Sequence, residues 1–254
     1  MALTFVAAVL LVACGSDARD AAPAGDDGAV TGTVTVFAAA SLKDVFTEIS
    51  EAFEAEHPDA HVTLSFGASS ALAAQIVEGA PADVFASADE ANMTKVVDAG
   101  GVSGSPEVFA TNSLQILVAP GNPEGIEGLA DLADPGLLYV TAAPAVPIGT
   151  YAAQALEEAG VTVAPVSLEA DVKAVVTKVT SGEADAAIVY ATDVTAAGTK
   201  GEGVAIPSAH QVVASYPLAV TAEAGNRSAA AAWVAFVLGE QGRAILAAHG
   251  FGAP

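Results

Sequence analysis

Small or polar residues open four predicted helices directly after a strand or loop. These helix starts lie at Ser41, at Ser69, after Pro147 and after Asp171. The first turn of a helix leaves backbone N–H groups unpaired and carries partial positive charge, so it suits an anion, and a serine adds a hydroxyl donor. A single serine at this position is an ordinary N-cap. Two serines at the ends of adjacent parallel strands are more informative, because α/β proteins bind ligands at that edge of the sheet.

Motifs for catalysis and for metal binding are missing from the sequence. It contains no G-x-S-x-G nucleophile motif and no G-x-x-x-x-G-K-[ST] phosphate loop. His57 and His61 cannot share a helical face as zinc ligands, because Pro58 lies between them and ends the helix. An extracytoplasmic hydrolase with Ser41 or Ser69 as nucleophile is an alternative, although no general base is expected beside either serine. We therefore expect a binding protein without catalytic residues or a cofactor.

Strand-like and helix-like segments alternate along most of the chain. The β-branched segment Thr33–Ala38 leads into a helix whose apolar residues between Leu42 and Phe53 keep a 3.6-residue period. Further strands are predicted at Leu137–Thr141, Ala186–Tyr190 and Val212–Val220. Alternation at this spacing predicts an α/β protein with mostly parallel sheets.

The composition excludes several classes of protein. The 254 residues include eight Lys and Arg against thirty Asp and Glu, which gives a net charge of −22. A chain this acidic lacks the basic face that holds nucleic acid by its phosphates. Disorder is excluded because 53% of the residues are hydrophobic. The same negative charge repels anions at long range, so an anion site in this chain must rely on donors at short range.

The N-terminal segment has the pattern of an export signal. Residues Ala2–Ala13 are apolar apart from Thr4, and Cys14, the single cysteine, follows directly. This arrangement resembles a bacterial lipoprotein signal, in which the cysteine becomes lipidated after cleavage. We expect a signal peptide over residues 1–13, lipidation at Cys14 and a flexible tether over 14–32. The protein is then extracytoplasmic, anchored by lipid to the outer face of the cell membrane or periplasmic.

The sequence contains two serine segments, Val34–Leu42 and Phe66–Leu72. They resemble the opening and the second serine segment of the molybdate-binding proteins that serve ABC importers, within the type II periplasmic binding protein family. The later motifs that carry the resemblance are Gly79–Asp89, Val146–Ala152, Asp171–Val172, Ile188–Tyr190 and His249–Phe251. The resemblance extends from about Val34 to Phe251, which is essentially the whole predicted fold.

The resemblance implies an α/β fold of two lobes, joined by two crossing strands that act as a hinge, with the ligand in the cleft between the lobes. The crossings are expected near Ser113–Pro120 and Tyr216–Ala222. The first lobe then comprises residues 33–114 and 219–254, and the second comprises 115–218.

The family motifs also imply the residues that hold the ligand. Ser41 and Ser69 are expected to donate from the hydroxyl and the backbone N–H, with Ser70 as the alternative to Ser69. Ile148 and Val172 are expected to donate from the backbone N–H, and Tyr190 from its hydroxyl. The family usually has Ala where Ile148 stands, but a main-chain donor survives that change.

Neutral donors alone suit a fully deprotonated oxyanion. A dianion loses much hydration energy when it is buried, so each oxygen needs fixed donors. Protonated phosphate would also need an acceptor, whereas molybdate, tungstate and sulfate need none. Helical phase places Lys43 and Lys173 toward solvent. The expected ligand is molybdate, with tungstate also accepted; sulfate or a small organic anion is the alternative.

Donors on two lobes predict a mechanism and its partners. The ligand binds the closed state preferentially and shifts the population toward it. The resemblance implies that the closed protein docks on a membrane permease that works with a cytoplasmic ATPase. The protein is expected to be a monomer that contacts the membrane only through its lipid. A further alternative is an adhesin or structural lipoprotein that has lost its ligand.

Overall fold

The computed structural model describes residues 29–254. The predicted signal peptide (1–13), Cys14 and most of the predicted tether (14–32) lie outside the described residues. Within the described range, no helix combines the length and apolar character needed to cross a membrane.

The described residues form two β-sheets of five strands each, with helices packed against both. The strands are β1 Gly32–Ala39, β2 Ala60–Gly67, β3 Val84–Ala86, β4 Glu107–Asn112, β5 Leu114–Val118, β6 Tyr139–Ala142, β7 Ser167–Glu169, β8 Ala186–Tyr190, β9 Glu202–Ala205 and β10 Ala214–Val220. The α-helices are α1 Lys43–Glu56, α2 Ser69–Val77, α3 Glu90–Asp98, α4 Pro147–Glu158, α5 Val172–Thr180, α6 Ala191–Ala197, α7 Arg227–Leu238 and α8 Glu240–Ala248. Short 3₁₀ helices lie at Ala40–Leu42, Leu129–Ala133, Gly198–Lys200 and Ser208–His210.

The first sheet brings the two serine segments together. Its strand order is β2-β1-β3-β10-β4, with β1 parallel to β2 and β3. The register places Ala39 at the end of β1 beside Gly67 at the end of β2. Because both strands end at the same edge, Ser41 and Ser69 emerge there as neighbours.

The second sheet repeats this arrangement. Its strand order is β7-β6-β8-β5-β9, with β6 parallel to both β7 and β8. In each sheet the other two pairings are antiparallel, so the sheets are mixed and the prediction of mostly parallel sheets was wrong. Ala142 at the end of β6 lies beside Glu169 at the end of β7. The starts of α4 and α5 and the end of β8 at Tyr190 therefore meet at one edge. We call the first sheet with α1–α3, α7 and α8 the first lobe, and the second sheet with α4–α6 the second lobe.

Two segments connect the lobes. The first passes from β4 to β5 at Ser113, which lies in the predicted crossing. The second leaves β9 and reaches β10 through residues 206–213. A side chain joins the two crossings: Gln211 Oε1 accepts a hydrogen bond from the Leu114 N–H at 2.8 Å, and Gln211 Nε2 donates to the Leu114 carbonyl oxygen at 3.0 Å.

The second crossing lies earlier in the chain than the sequence predicted. Strand β10 pairs along its length with the first sheet, from Ala214 beside Asn112 to Val220 beside Val84. Residues 214–218 therefore belong to the first sheet, although the sequence boundary placed them in the second lobe. The apolar run Val212–Val220 predicts a buried strand, but an apolar run does not specify which sheet that strand joins.

The core of the first lobe explains why α1 forms as predicted. Val45, Phe46, Ile49 and Phe53 are all buried on one face of the helix. Phe46 packs edge to face against Trp233 of α7, with ring centroids 5.0 Å apart. This apolar face holds α1 against the sheet and so fixes the position of the 3₁₀ turn that precedes it.

Candidate functional site

A cavity lies between the two lobes, where the strand ends of both sheets face each other. Its volume is about 210 Å³ including its open mouth. The structure brings all five residues predicted to hold the ligand into its wall. These residues are Ser41, Ser69, Ile148, Val172 and Tyr190.

Ser69 is the first residue of α2 and is buried, with 1% of its surface exposed. Its Oγ accepts a hydrogen bond from the backbone N–H of Ala88 at 2.9 Å. A hydroxyl that accepts in this way keeps its own proton for another partner. Ser70, the alternative considered from the sequence, is half-buried and does not line the cavity. Of the two serines, Ser69 is therefore the one in the cavity wall.

Ser41 lies in the 3₁₀ turn Ala40–Leu42 and is 6% exposed. Its Oγ lies 3.1 Å from the hydroxyl of Tyr216, which is fully buried in β10. When Tyr216 donates this hydrogen bond, the proton of Ser41 is free to point into the cavity. Reasoning from the sequence missed Tyr216, because a tyrosine in a buried strand carries no signal that separates it from an ordinary core residue.

Helix α4 places Ile148 in the cavity wall. Pro147 occupies the first turn of the helix, where its missing N–H costs nothing, and Ile148 follows with a backbone N–H that has no acceptor within the helix. Ile148 is 1% exposed. A Cβ on Gly149 would collide with the carbonyl oxygens of Ala142 and Ala143, so only glycine lets the helix start this close to the end of β6.

Helix α5 begins at Val172, whose side chain is buried. Asp171 caps this helix, because its Oδ1 accepts a hydrogen bond from the Ala174 N–H at 2.9 Å. Asp171 also lines the cavity, and its capping oxygen is engaged with the backbone of its own helix. The Val172 N–H is left without an intrahelical acceptor.

Tyr190 closes the cavity from the end of β8. Its side chain is 1% exposed, and within residues 29–254 its hydroxyl has no hydrogen-bond partner. Burial, assisted by the neighbouring Tyr216 and Tyr151, raises the pKa of Tyr190 well above its ordinary value. The group is therefore a neutral phenol that can donate its proton. Buried polar groups are rarely left unpaired, so this hydroxyl is available to a ligand that enters the cavity.

Positive side chains are not part of the cavity wall. Among the described Lys and Arg residues, none lines the cavity, and residues 29–254 hold no cluster of His, Cys, Asp and Glu that could bind a metal ion. Lys43 is exposed, as predicted. The prediction for Lys173 was wrong: its Nζ is held between the carboxylates of Asp44 and Asp193.

The serines are not arranged as nucleophiles. The hydrogen-bond partner of Ser41 is a tyrosine hydroxyl, and that of Ser69 is a backbone N–H. Neither group can act as the general base that an active serine requires. His249, which lies in a neighbouring cleft, pairs with Glu48 at 2.8 Å instead.

Solved structures share this architecture. A periplasmic molybdate-binding protein of Azotobacter vinelandii superposes with a TM-score of 0.74 at 24% identity, over 87% of this chain and 99% of that one. The sulfate-binding protein SubI of Mycobacterium tuberculosis superposes with a TM-score of 0.76 at 22% identity, over 86% of each chain. These structures confirm the predicted fold, two α/β lobes of the type II periplasmic-binding-protein class.

Sequence relatives confirm the family resemblance. The molybdate-binding protein ModA of Mycobacterium tuberculosis is 43% identical over 244 residues, which cover 96% of this chain and 93% of that protein. ModA of Escherichia coli is 35% identical over 242 residues, 91% of this chain and 93% of that protein. The relatives are binding proteins and not enzymes, as the sequence predicted. Residues 34–252 match the family model described as bacterial extracellular solute-binding protein. The chain therefore belongs to the bacterial extracellular solute-binding proteins.

Proposed function

We propose that this protein captures molybdate, and also tungstate, between its two lobes and delivers it to an ABC importer. The observation that carries the proposal is the convergence of neutral donors from both lobes on one small cavity without a cation in its wall. The names of the relatives from Mycobacterium tuberculosis and Escherichia coli point to the same ligand.

The chemistry of the wall favours a fully deprotonated tetrahedral ion. The free protons of Ser69 and Tyr190 and the helix-start N–H groups of Ile148 and Val172 are all donors. Asp171 also lines the cavity, where its Oδ1 is used by the cap of α5. Donors outnumber acceptors in the wall, and this excess favours a fully deprotonated ion over a protonated phosphate.

The cavity is also small. Its volume is only about 210 Å³ even when the open mouth is included. This size favours a single small ion over an organic anion with a substantial carbon skeleton. Sulfate remains the second candidate, because it is also a tetrahedral dianion that needs only donors. Its smaller size is the property by which the cavity would discriminate against it.

Location and partners complete the proposal. Membership of an extracellular solute-binding family supports an extracytoplasmic protein. We propose that Cys14 carries the lipid anchor, that the protein acts as a monomer, and that its closed form docks on a permease with a cytoplasmic ATPase.

Titration calorimetry with molybdate, tungstate, sulfate and phosphate tests the ligand. We expect molybdate and tungstate to bind with one ion per chain and to compete with each other, and sulfate to bind at least ~100-fold more weakly, which is a difference of ~3 kcal/mol. Native mass spectrometry after incubation with mixed oxyanions gives an independent readout of the bound mass. Tighter binding of sulfate, or binding of none of the four ions, would contradict the proposal.

A further inference from the structure

One lysine connects the two lobes beside the cavity. Lys173 belongs to α5 of the second lobe, and its Nζ lies 2.9 Å from Oδ2 of Asp44 in α1 of the first lobe. The same Nζ lies 3.2 Å from Oδ1 of Asp193 in α6 of the second lobe. A single ammonium group therefore forms ion pairs within its own lobe and across the cleft.

The surroundings of Lys173 fix the position of its ammonium group. The side chain of Asp193 is completely buried, whereas those of Lys173 and Asp44 are 28% and 50% exposed. Burial opposes the charge of Lys173, but the carboxylates of Asp193 and Asp44 outweigh it, and the net result is a raised pKa. The ammonium therefore stays charged, and Asp193 holds it in place facing the first lobe.

Lys173, Asp44 and Asp193 each lie close in sequence to a residue of the cavity wall. Lys173 follows Val172 directly, Asp44 lies in the first turn of the helix that follows Ser41, and Asp193 lies in the first turn of the helix that follows Tyr190. The ion pair between Lys173 and Asp44 thus couples the helix start of the second lobe to the serine turn of the first.

We infer that Lys173 is a positioning residue, whose ion pair with Asp44 forms on closure of the lobes and stabilises the arrangement in which both sets of donors reach the ligand. Opening of the cleft moves α1 away from α5, so the contact with Asp44 is lost while that with Asp193 stays. The inference rests on the proposed function, because it assigns this ion pair a share of the affinity for the oxyanion.

Replacement of Asp44 distinguishes an ion pair that holds the lobes together from a general electrostatic effect of Lys173 on the anion. If Lys173 acted only through its positive charge near an anion site, Asp44→Asn would remove a nearby negative charge and strengthen binding of molybdate. If the ion pair holds the lobes together, the same substitution weakens binding. The two mechanisms therefore predict opposite signs.

The experiment measures molybdate affinity and dissociation rate for wild type, Asp44→Asn, Lys173→Met and the double variant at low salt. We expect each single variant to bind about 2- to 5-fold more weakly, with faster dissociation, and the double variant to be no weaker than Lys173→Met. Lys173→Arg is expected to restore most of the affinity. Glu51→Gln, an exposed position on the same helix α1, is the matched control and is expected to leave affinity unchanged.

Stronger or unchanged binding by Asp44→Asn, or additive losses in the double variant, would overturn the inference. Failure of the proposed function gives a different result, since wild type itself would then bind none of the oxyanions. In that case small-angle X-ray scattering at low salt decides the question. A larger radius of gyration for Asp44→Asn than for wild type supports the ion pair as an interlobe contact, and equal radii reject it.

Discussion

The rings of Tyr190 and Tyr216 meet edge to face across the boundary between the lobes, with centroids 5.8 Å apart and planes inclined at 65°. Tyr190 ends β8 of the second lobe, and Tyr216 lies in β10 of the first. The hydroxyl of Tyr216 also contacts the hydroxyl of Ser41. Tyr216 therefore touches one cavity residue from each lobe, Ser41 in the first and Tyr190 in the second. The hydroxyl positions in the cavity thus depend on the packing between the lobes as well as on the local helix starts.

Removal of the Tyr190 hydroxyl tests the donor from the second lobe. Tyr190→Phe keeps the ring contact with Tyr216 and deletes only the unpaired hydroxyl. We expect molybdate affinity to fall by about 1–3 kcal/mol, measured by titration calorimetry, because a hydrogen bond to a charged ligand is lost. The free energy of unfolding without ligand should stay the same or rise, since a buried unpaired polar group disappears.

Tyr139→Phe is the matched control for this substitution. The Tyr139 hydroxyl is also buried without a partner among residues 29–254, but the residue does not line the cavity. Its removal should leave molybdate affinity unchanged. Equal affinity of Tyr190→Phe and wild type would remove Tyr190 from the site.

Ser69→Ala tests the donor from the first lobe. The substitution removes a hydroxyl proton from the cavity and also leaves the Ala88 N–H without its acceptor. We expect molybdate to bind roughly 10- to 100-fold more weakly in calorimetry, which corresponds to about 1.4–2.7 kcal/mol. The neighbouring variant Ser70→Ala should bind as wild type does, and a loss at Ser70 with none at Ser69 would reverse the assignment.

Ile148→Ala distinguishes the contribution of the Ile148 side chain from that of its backbone N–H. The side chain is 1% exposed, so its truncation should lower the free energy of unfolding by about 2–4 kcal/mol in urea denaturation. The backbone N–H at the start of α4 remains, and molybdate affinity should stay within about threefold of wild type. A tenfold or greater change in affinity would show that the isoleucine side chain itself shapes the cavity.

The raised pKa of Asp193 predicts that the stability of the fold depends on pH. Burial raises the pKa of Asp193 to about 6, although Lys173 opposes the shift, whereas an unfolded aspartate titrates near ~3.9. Between these two values the folded chain binds more protons than the unfolded chain, so this group's contribution to stability is present below about pH 4 and is lost as the pH rises through about 6.

Asp193→Asn removes this titration. The unfolding free energy of wild type relative to Asp193→Asn should therefore decrease between about pH 4 and pH 7, by on the order of 3 kcal/mol in total, and then level off. Urea denaturation of both proteins at several pH values measures the difference. A constant difference over this range would show that Asp193 does not titrate there.

Local sequence accounted for the helix starts and for the residues that line the cavity. Ser41 and Ser69 each lie two residues after the end of a strand. Pro147 and Asp171 mark helix starts that any structure of this chain must leave with unpaired N–H groups. The family motifs added Tyr190, which no periodicity distinguishes from a buried strand residue. These features depend on neighbours in the chain, which is why the sequence alone could predict them.

Pairing between distant segments could not be predicted in the same way. Hydrophobic periodicity predicted β10, but its register with Asn112 and Val84 arises from hydrogen bonds to strands that are far away in sequence. Helical phase placed Lys173 toward solvent. That prediction failed because the phase describes one helix alone and takes no account of the Asp44 carboxylate on the opposite lobe.

The sequence by itself determined the alternation of strands and helices and the positions of the helix starts, and the family resemblance implied neutral donors. Only the tertiary structure decided that Tyr216 contacts Ser41, that Ala88 engages Ser69, and that Asp44 pairs with Lys173 across the cleft. The physical reason is the range of the interactions. Helix starts follow from bonds between residues a few positions apart, whereas the contacts around the cavity exist only once two separately folded sheets face each other.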